Sequence, residues 1–192
     1  MATTTLTSAI RPTAPGLATA DEVRAAFTEH REELAWLAGF LTGDEMVATA
    51  CVIDASTLTE GENGKDQEWL WPWPREATIC SALDVQRVRI AQLSSVYDRC
   101  CDCVYGEHAA LPLEMLEFLI RESDLIRVRL DTICRFVLVL CGIENRRSRE
   151  VALLLGISEH AVEAAYCAAI QFLDVVRSQA IVDSYGHAAV YN

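Results

Sequence analysis

The sequence predicts an all-α protein made of two small helical bundles, the second of which contains a helix-turn-helix. Ala and Leu dominate long stretches in which apolar residues recur with the period of a helix. Aromatic residues make up only 7% of the 192 residues, and segments with the alternating pattern of strands are hard to find. Hydrophobic residues reach 52%, which is enough apolar material for packed cores.

The amino-terminal part predicts a disordered leader followed by a helical hairpin. Residues 1–19 are rich in Thr, Ala and Pro and show no apolar periodicity. Asp21 is expected to cap a first helix that ends at Gly43. Asp44 is expected to cap a second helix that ends near Ala55. So short a turn predicts that the two helices lie antiparallel.

A loop, an aromatic segment and a long helix complete the first predicted domain, residues 20–98. Residues 56–68 are polar, acidic and Gly-containing, which predicts a flexible loop. A long helix is expected from Pro74 to about Asp98. Three tryptophans precede it in an extended segment that we expect to pack on the helices: Trp69, Trp71 and Trp73.

The second half predicts a linker, a domain of four shorter helices and a tail. We assign the linker to residues 99–111, the domain to residues 112–180 and the tail to residues 181–192. The four helices are expected over Leu113–Arg121, 123–142, 148–156 and 158–177. One merged bundle of all the helices is the alternative arrangement.

The charge balance disfavours non-specific binding to polyanions. The formal net charge is −12, and Lys65 is the single lysine. Nucleic acids and anionic membranes both attract positive surfaces. Residues 1–111 carry eight basic and seventeen acidic side chains, whereas residues 112–192 carry eight and eleven. The second half therefore repels a polyanion less strongly than the first.

The cysteines and the absence of apolar targeting segments indicate the cytoplasm. The first residues do not form a basic region followed by an apolar run, and no apolar stretch approaches the roughly 20 residues needed to span a bilayer. We therefore expect free thiols and no membrane contact. Four of the eight cysteines lie in apolar helical patterns, where thiols behave as small buried hydrophobes: Cys51, Cys134, Cys141 and Cys167.

Residues 148–173, SREVALLLGISEHAVEAAYCAAIQFL, predict the helix-turn-helix. This motif needs a small residue where the two helices cross and a glycine in the turn. Ala152 and Gly156 meet both demands, and Ser158 can cap the second helix. The shared core is expected to comprise Val151, Ala152, Leu155, Gly156, Ile157 and Val162.

The motif belongs to a longer pattern that resembles a known family. Arg-Phe-Val-Leu at 135–138 precedes Glu144, and Glu-Val-Ala at 150–152 and Leu-Gly-Ile-Ser at 155–158 follow. This pattern is similar to the carboxy-terminal domain of bacterial sigma factors of the extracytoplasmic-function type. The hairpin LAWLAGFLTGDEMVATACVIDA resembles the family's first domain, whose second helix docks on RNA polymerase. The resemblance implies a regulator of transcription initiation that binds the RNA polymerase core and promoter DNA, with an anti-sigma factor as a further candidate partner.

The sequence departs from the family where DNA would be contacted. Family members place Lys or Arg along the recognition helix, but the matching positions here hold Glu163, Ala165 and Ala168. Residues 158–174 contain no Lys or Arg. Acidic side chains repel phosphates, and only a Glu directed at a cytosine would help. The family's acidic-apolar-Gln signature for the polymerase clamp is replaced by residues 48–54.

Candidate DNA contacts remain at two places. Arg146, Arg147 and Arg149 form the only tight basic cluster, and at the start of a helix they could grip a phosphate. Alternatively, they pair with Glu144 and Glu150 in a solvated turn. On the recognition helix, four residues are candidates for the side that faces the major groove, although His160 is equally typical of an ordinary surface: Ser158, His160, Ala161 and Glu163.

No other cluster predicts chemistry. Cys100, Cys101, Cys103 and His108 could bind zinc, but adjacent cysteines fit the usual ligand spacing badly, and core or interface thiols are favoured. The sequence shows no catalytic constellation and no Gly-rich phosphate loop. We therefore expect no enzymatic activity, metal, cofactor or small-molecule substrate.

Two functional hypotheses follow from the sequence. The first is a sigma-factor-like regulator that contacts RNA polymerase core and approaches promoter DNA with its helix-turn-helix. The second is a protein-interaction module that kept the sigma-like fold and lost DNA binding, paired with an anti-sigma factor or with polymerase. A negative surface on the recognition helix would favour the second hypothesis.

Overall fold

A computed structural model describes residues 19–60, 72–99 and 110–188 of the chain. Within these ranges the regular structure is entirely helical, which confirms the predicted all-α class. The π-helical segment Leu138–Ile143 directly continues α7. The α-helices are α1 (Ala20–Glu29), α2 (Arg31–Thr42), α3 (Glu45–Glu60), α4 (Pro72–Tyr97), α5 (Leu113–Arg121), α6 (Ser123–Arg129), α7 (Thr132–Val137), α8 (Ser148–Leu155) and α9 (Glu159–Ala188).

The amino-terminal hairpin forms as expected, but its first helix is two helices. The chain breaks at His30, which separates α1 from α2. The cap of α1 is Thr19 rather than Asp21, because Thr19 and Glu22 form a reciprocal capping box. The expected cap of α3 is confirmed, since Asp44 Oδ1 accepts hydrogen bonds from the N–H groups of Met46 at 2.8 Å and Val47 at 3.0 Å.

Three helices extend further than the sequence predicted. Helix α4 begins at Pro72 rather than Pro74. Trp73 is therefore helical rather than extended, while Trp69 and Trp71 lie outside the described residues. Helix α3 continues to Glu60, into the first residues of the predicted loop 56–68. Helix α9 continues to Ala188, so most of the predicted tail is helical. The remainder of that loop and the leader up to residue 18 lie outside the described residues.

The predicted helix 123–142 is broken near its middle. Leu130 takes an extended conformation and ends α6. Asp131 then starts α7, because its Oδ1 accepts a hydrogen bond from the N–H of Cys134 at 2.9 Å. After the break, the carbonyl end of α6 faces Arg135 of α7, which donates hydrogen bonds to the carbonyl oxygens of Arg127 and Leu130.

Both halves of the described chain share one hydrophobic core. Its buried residues form one connected cluster whose members range from Leu37 on α2 to Leu173 on α9. Helix α4 packs against α2 and α3 on one side and against α7, α8 and α9 on the other. The predicted division into two bundles is therefore not confirmed.

A buried arginine joins the two halves. Arg135 is 6% exposed, and its guanidinium donates to the carbonyl oxygens of Leu41 and Thr42 at the end of α2. It also donates to the carbonyl oxygens of Arg127 at 2.9 Å and Leu130 at 2.6 Å at the end of α6. Helix carboxyl ends carry partial negative charge, so they stabilise a cation in place of a carboxylate.

Helices α8 and α9 meet at a sharp corner. Their axes are bent by 107°, and Gly156 occupies the left-handed region with φ +69°. The N–H groups of Gly156 and Ile157 both donate to the carbonyl oxygen of Ala152 and close the end of α8. The start of α9 is capped by Ser158, whose Oγ accepts from the N–H of Ala161 at 3.0 Å.

Substitution of Gly156 by Ala should lower the free energy of unfolding by about 1 kcal/mol. A Cβ at this position would meet nothing within 4 Å, so the loss comes only from the left-handed backbone. Asn tolerates that conformation better, and Gly156→Asn should lose less. Urea denaturation followed by circular dichroism measures both, and equal stability of Gly156→Ala and wild type would contradict this account of the corner.

Candidate functional site

The basic cluster is only partly available at the surface. Arg146 is half-buried and forms an ion pair with Glu76 of α4. Arg147 and Arg149 are exposed, and the backbone N–H of Arg147 donates to the Glu150 carboxylate at 3.3 Å. Two of the three predicted arginines are therefore accessible to a ligand, whereas the third, Arg146, is held by its ion pair with α4.

The amino end of α9 already faces an acidic side chain. The hydroxyl of Ser158 donates to Asp98, which directly follows the last residue of α4. Free N–H groups and a positive partial charge would otherwise make this end a place for a phosphate. In this arrangement a carboxylate of the chain itself lies there.

The exposed side of the first turns of α9 carries no Lys or Arg. Glu159 and His160 are exposed, and Glu163 is half-buried. Ala161 is 0% exposed, which corrects the expectation that it faces outward. It is covered because α9 packs against α4 as well as against α7 and α8.

The positions where the family carries cations are apolar and largely covered here. Ala165 is 0% exposed, and its carbonyl oxygen accepts a hydrogen bond from the Cys134 thiol at 3.4 Å. Ala168 is half-buried. Among the residues predicted to form the core of the corner, Ile157 is half-buried and Gly156 is exposed, and the rest are buried: Val151, Ala152, Leu155 and Val162.

A buried polar cluster ties α4, α7 and α9 together. The Tyr97 hydroxyl lies 2.6 Å from Asp131 Oδ2 and 3.0 Å from Cys134 Sγ. Burial, reinforced by the Asp131 charge, raises the pKa of the Cys134 thiol to about 12. The thiol is therefore protonated at neutral pH, as a hydrogen-bond donor rather than a nucleophile. Sequence reasoning recognised Cys134 as buried but gave no signal for its partners.

A second feature that the sequence did not indicate is a groove of about 360 Å³ between α2, α3 and α6. The rings of Trp36 and Phe40 stack in its wall with their centroids 5.5 Å apart. The groove is lined by Ala35, Trp36, Gly39, Phe40, Glu45, Ala48, Thr49, Ser123, Asp124 and Arg127.

The described residues offer no group of three or more His, Cys, Asp or Glu side chains that could hold a metal ion. The cluster of Cys100, Cys101, Cys103 and His108 lies outside them. Four of the described cysteines are free and buried, as their apolar surroundings predicted: Cys51, Cys134, Cys141 and Cys167. Among the described helices, none is by itself long and apolar enough to cross a membrane, and only the bent pair α8–α9 meets those requirements jointly.

Comparison with known proteins leaves the family unassigned. No protein-family model, no curated protein and no solved structure matches the chain.

Proposed function

We propose that this chain is a sigma-factor-like regulator of transcription initiation in the cytoplasm that acts by binding proteins, with RNA polymerase core as the first candidate partner. In this proposal the corner of α8 and α9 is a helix-turn-helix that has lost DNA readout. An anti-sigma factor is the alternative partner.

The surface of α9 carries the proposal. Its exposed first turns present Glu159, His160 and Glu163, and its amino end is hydrogen-bonded to Asp98. A DNA-reading helix must bring donors and cations to a lattice of phosphates, and acids there oppose the approach. Because Ala161 and Ala165 are buried, α9 exposes little further surface that could contact bases.

The sigma-like part of the proposal is supported by the geometry of the corner. Helix-turn-helix pairs cross at about 90–120° through a short turn that often contains glycine. The 107° bend at Gly156 falls in that range, at the residues that carry the resemblance. Ala152 is 7% exposed at the crossing, as such a close approach requires.

One observation favours DNA binding as a second candidate function. Arg147 and Arg149 are exposed beside the amino end of α8. Such a pair can hold a backbone phosphate without reading sequence. This candidate predicts weak binding that falls steeply with salt.

A mobility-shift assay at low salt with mixed-sequence duplex DNA, with and without added polymerase core, separates the two functions. We expect no shift with the chain alone, no change in the shift that core produces by itself, and co-purification of polymerase core with the tagged full chain from cell extract. A DNA shift that disappears in Arg147→Ala/Arg149→Ala, but persists in Arg121→Ala/Arg129→Ala, would establish the second function instead. The control removes two other exposed arginines from the same half of the chain. Failure to retain either polymerase core or an anti-sigma factor would overturn the proposal.

A further inference from the structure

The groove between α2, α3 and α6 combines an aromatic wall with a floor of small residues. Trp36 and Phe40 stack at an interplanar angle of 16° and form the wall. Gly39 and Ala48 keep the floor low, and a Cβ on Gly39 would make only ordinary contacts with Arg127 and Ala48. The space accommodates an apolar side chain of a partner without any change in the helices.

Two side chains that line the groove hold buried N–H groups without an acceptor. These are the indole Nε1 of Trp36 and the Nε of Arg127. A buried donor without a partner costs about 1–3 kcal/mol. Arg127 keeps 19% of its side chain exposed, so the guanidinium can be approached from outside.

The rim of the groove is acidic. Glu45 and Asp124 lie 3.7 Å and 3.2 Å from the Arg127 guanidinium and are otherwise largely exposed. Glu32 is exposed one turn before Trp36 on the same face of α2. Two carboxylates thus flank one cation, and Glu32 adds a negative charge on the same face of α2 as Trp36, which repels polyanions and attracts basic groups.

We propose that this groove receives a short basic polypeptide segment of a protein partner. An aromatic or branched apolar side chain of the segment lies on the Trp36–Phe40 wall, and neighbouring Lys or Arg side chains meet the acidic rim. A main-chain carbonyl oxygen of the segment accepts a hydrogen bond from the part of the Arg127 guanidinium that stays exposed. Trp and Arg are the residue types that most often dominate binding energy in protein interfaces. The inference rests on the proposed protein-binding function and deepens it.

Peptide titration observed by nuclear magnetic resonance tests the inference on the full chain. The probe is the acetylated and amidated peptide Lys-Leu-Phe-Lys. The Trp36 indole cross-peak is identified by its loss in Trp36→Phe, and we expect it to move as the peptide is added. The peptides Glu-Leu-Phe-Glu and Lys-Ser-Ser-Lys should leave it in place, since each lacks one of the two required properties.

A matched pair of variants locates the binding site. Thr49→Trp fills the groove from an exposed position, whereas Thr57→Trp changes an equivalent position two turns along α3. Both hydroxyls donate to the carbonyl oxygen four residues earlier at 2.9 Å, so the structural cost of the two substitutions is alike. Thr49→Trp should weaken peptide binding by about tenfold or more, a loss of about 1.4 kcal/mol, and Thr57→Trp should leave it unchanged.

The possible outcomes separate this inference from the broader proposal. An unmoved Trp36 signal, equal binding by Thr49→Trp, or equal binding of the acidic peptide or of DNA would each overturn the groove assignment. Polymerase co-purification that is unaffected by Thr49→Trp, together with absent peptide binding, would remove this inference alone. If the wild-type chain retained neither polymerase core nor an anti-sigma factor, the proposed function itself would be wrong.

Discussion

Replacement of Arg135 by Met should lower the free energy of unfolding by about 1–3 kcal/mol or more, the cost of leaving buried acceptors unpaired. Arg135 is 6% exposed, and its guanidinium is the donor for the ends of both α2 and α6, including the carbonyl oxygens of Leu41 and Leu130. Met fills much of the volume but donates nothing, so these acceptors stay buried without partners. Burial lowers the pKa of Arg135, yet a guanidinium stays charged and the helix ends stabilise that charge.

Arg129→Met is the matched control for this prediction. Arg129 is an exposed arginine at the end of α6, and its replacement should change stability by no more than about 0.5 kcal/mol. Arg135→Lys keeps the charge but lacks the planar fork, and should recover only part of the loss. Urea denaturation measures all three variants. An Arg135→Met protein as stable as wild type would show that the two halves are not joined through this residue.

The fold class could be predicted from the sequence because helices are encoded locally. Apolar periodicity and caps such as Asp44 act within a few residues, and these parts of the prediction held. Helix breaks were harder to predict. His30 and Leu130 interrupt helices without Gly or Pro. The break at Leu130 is followed by the cap at Asp131, whereas no side-chain cap marks the break at His30.

The candidate site was less predictable, because it depends on contacts between distant residues. Nothing local to Ser158 indicates that Asp98 lies against it, and nothing local to Arg146 indicates Glu76. Likewise the pattern around Ala161 is typical of a surface-facing turn of a helix-turn-helix. Only the packing of α4 on α9 shows that this alanine is covered.

Introducing a cation at Ala165 of α9 should destabilise the protein rather than create a DNA-binding surface. Ala165 occupies a position where the resembling family carries a basic residue, but here it is 0% exposed beside the Cys134 thiol. An arginine there would place an unpaired charge in the core that α4, α7 and α9 share. Ala165→Arg should therefore lose about 3 kcal/mol or more.

Gln171→Arg provides the comparison, since residue 171 is exposed on the same helix and arginine is a good helix former. Its stability should stay within about 0.5 kcal/mol of wild type. Thermal unfolding and the low-salt DNA shift are measured on both variants. If Ala165→Arg folds with wild-type stability and shifts DNA, α9 must be free of α4 in solution. The described structure would then be a closed form of a DNA-binding protein, and the proposed protein-binding function would lose its support.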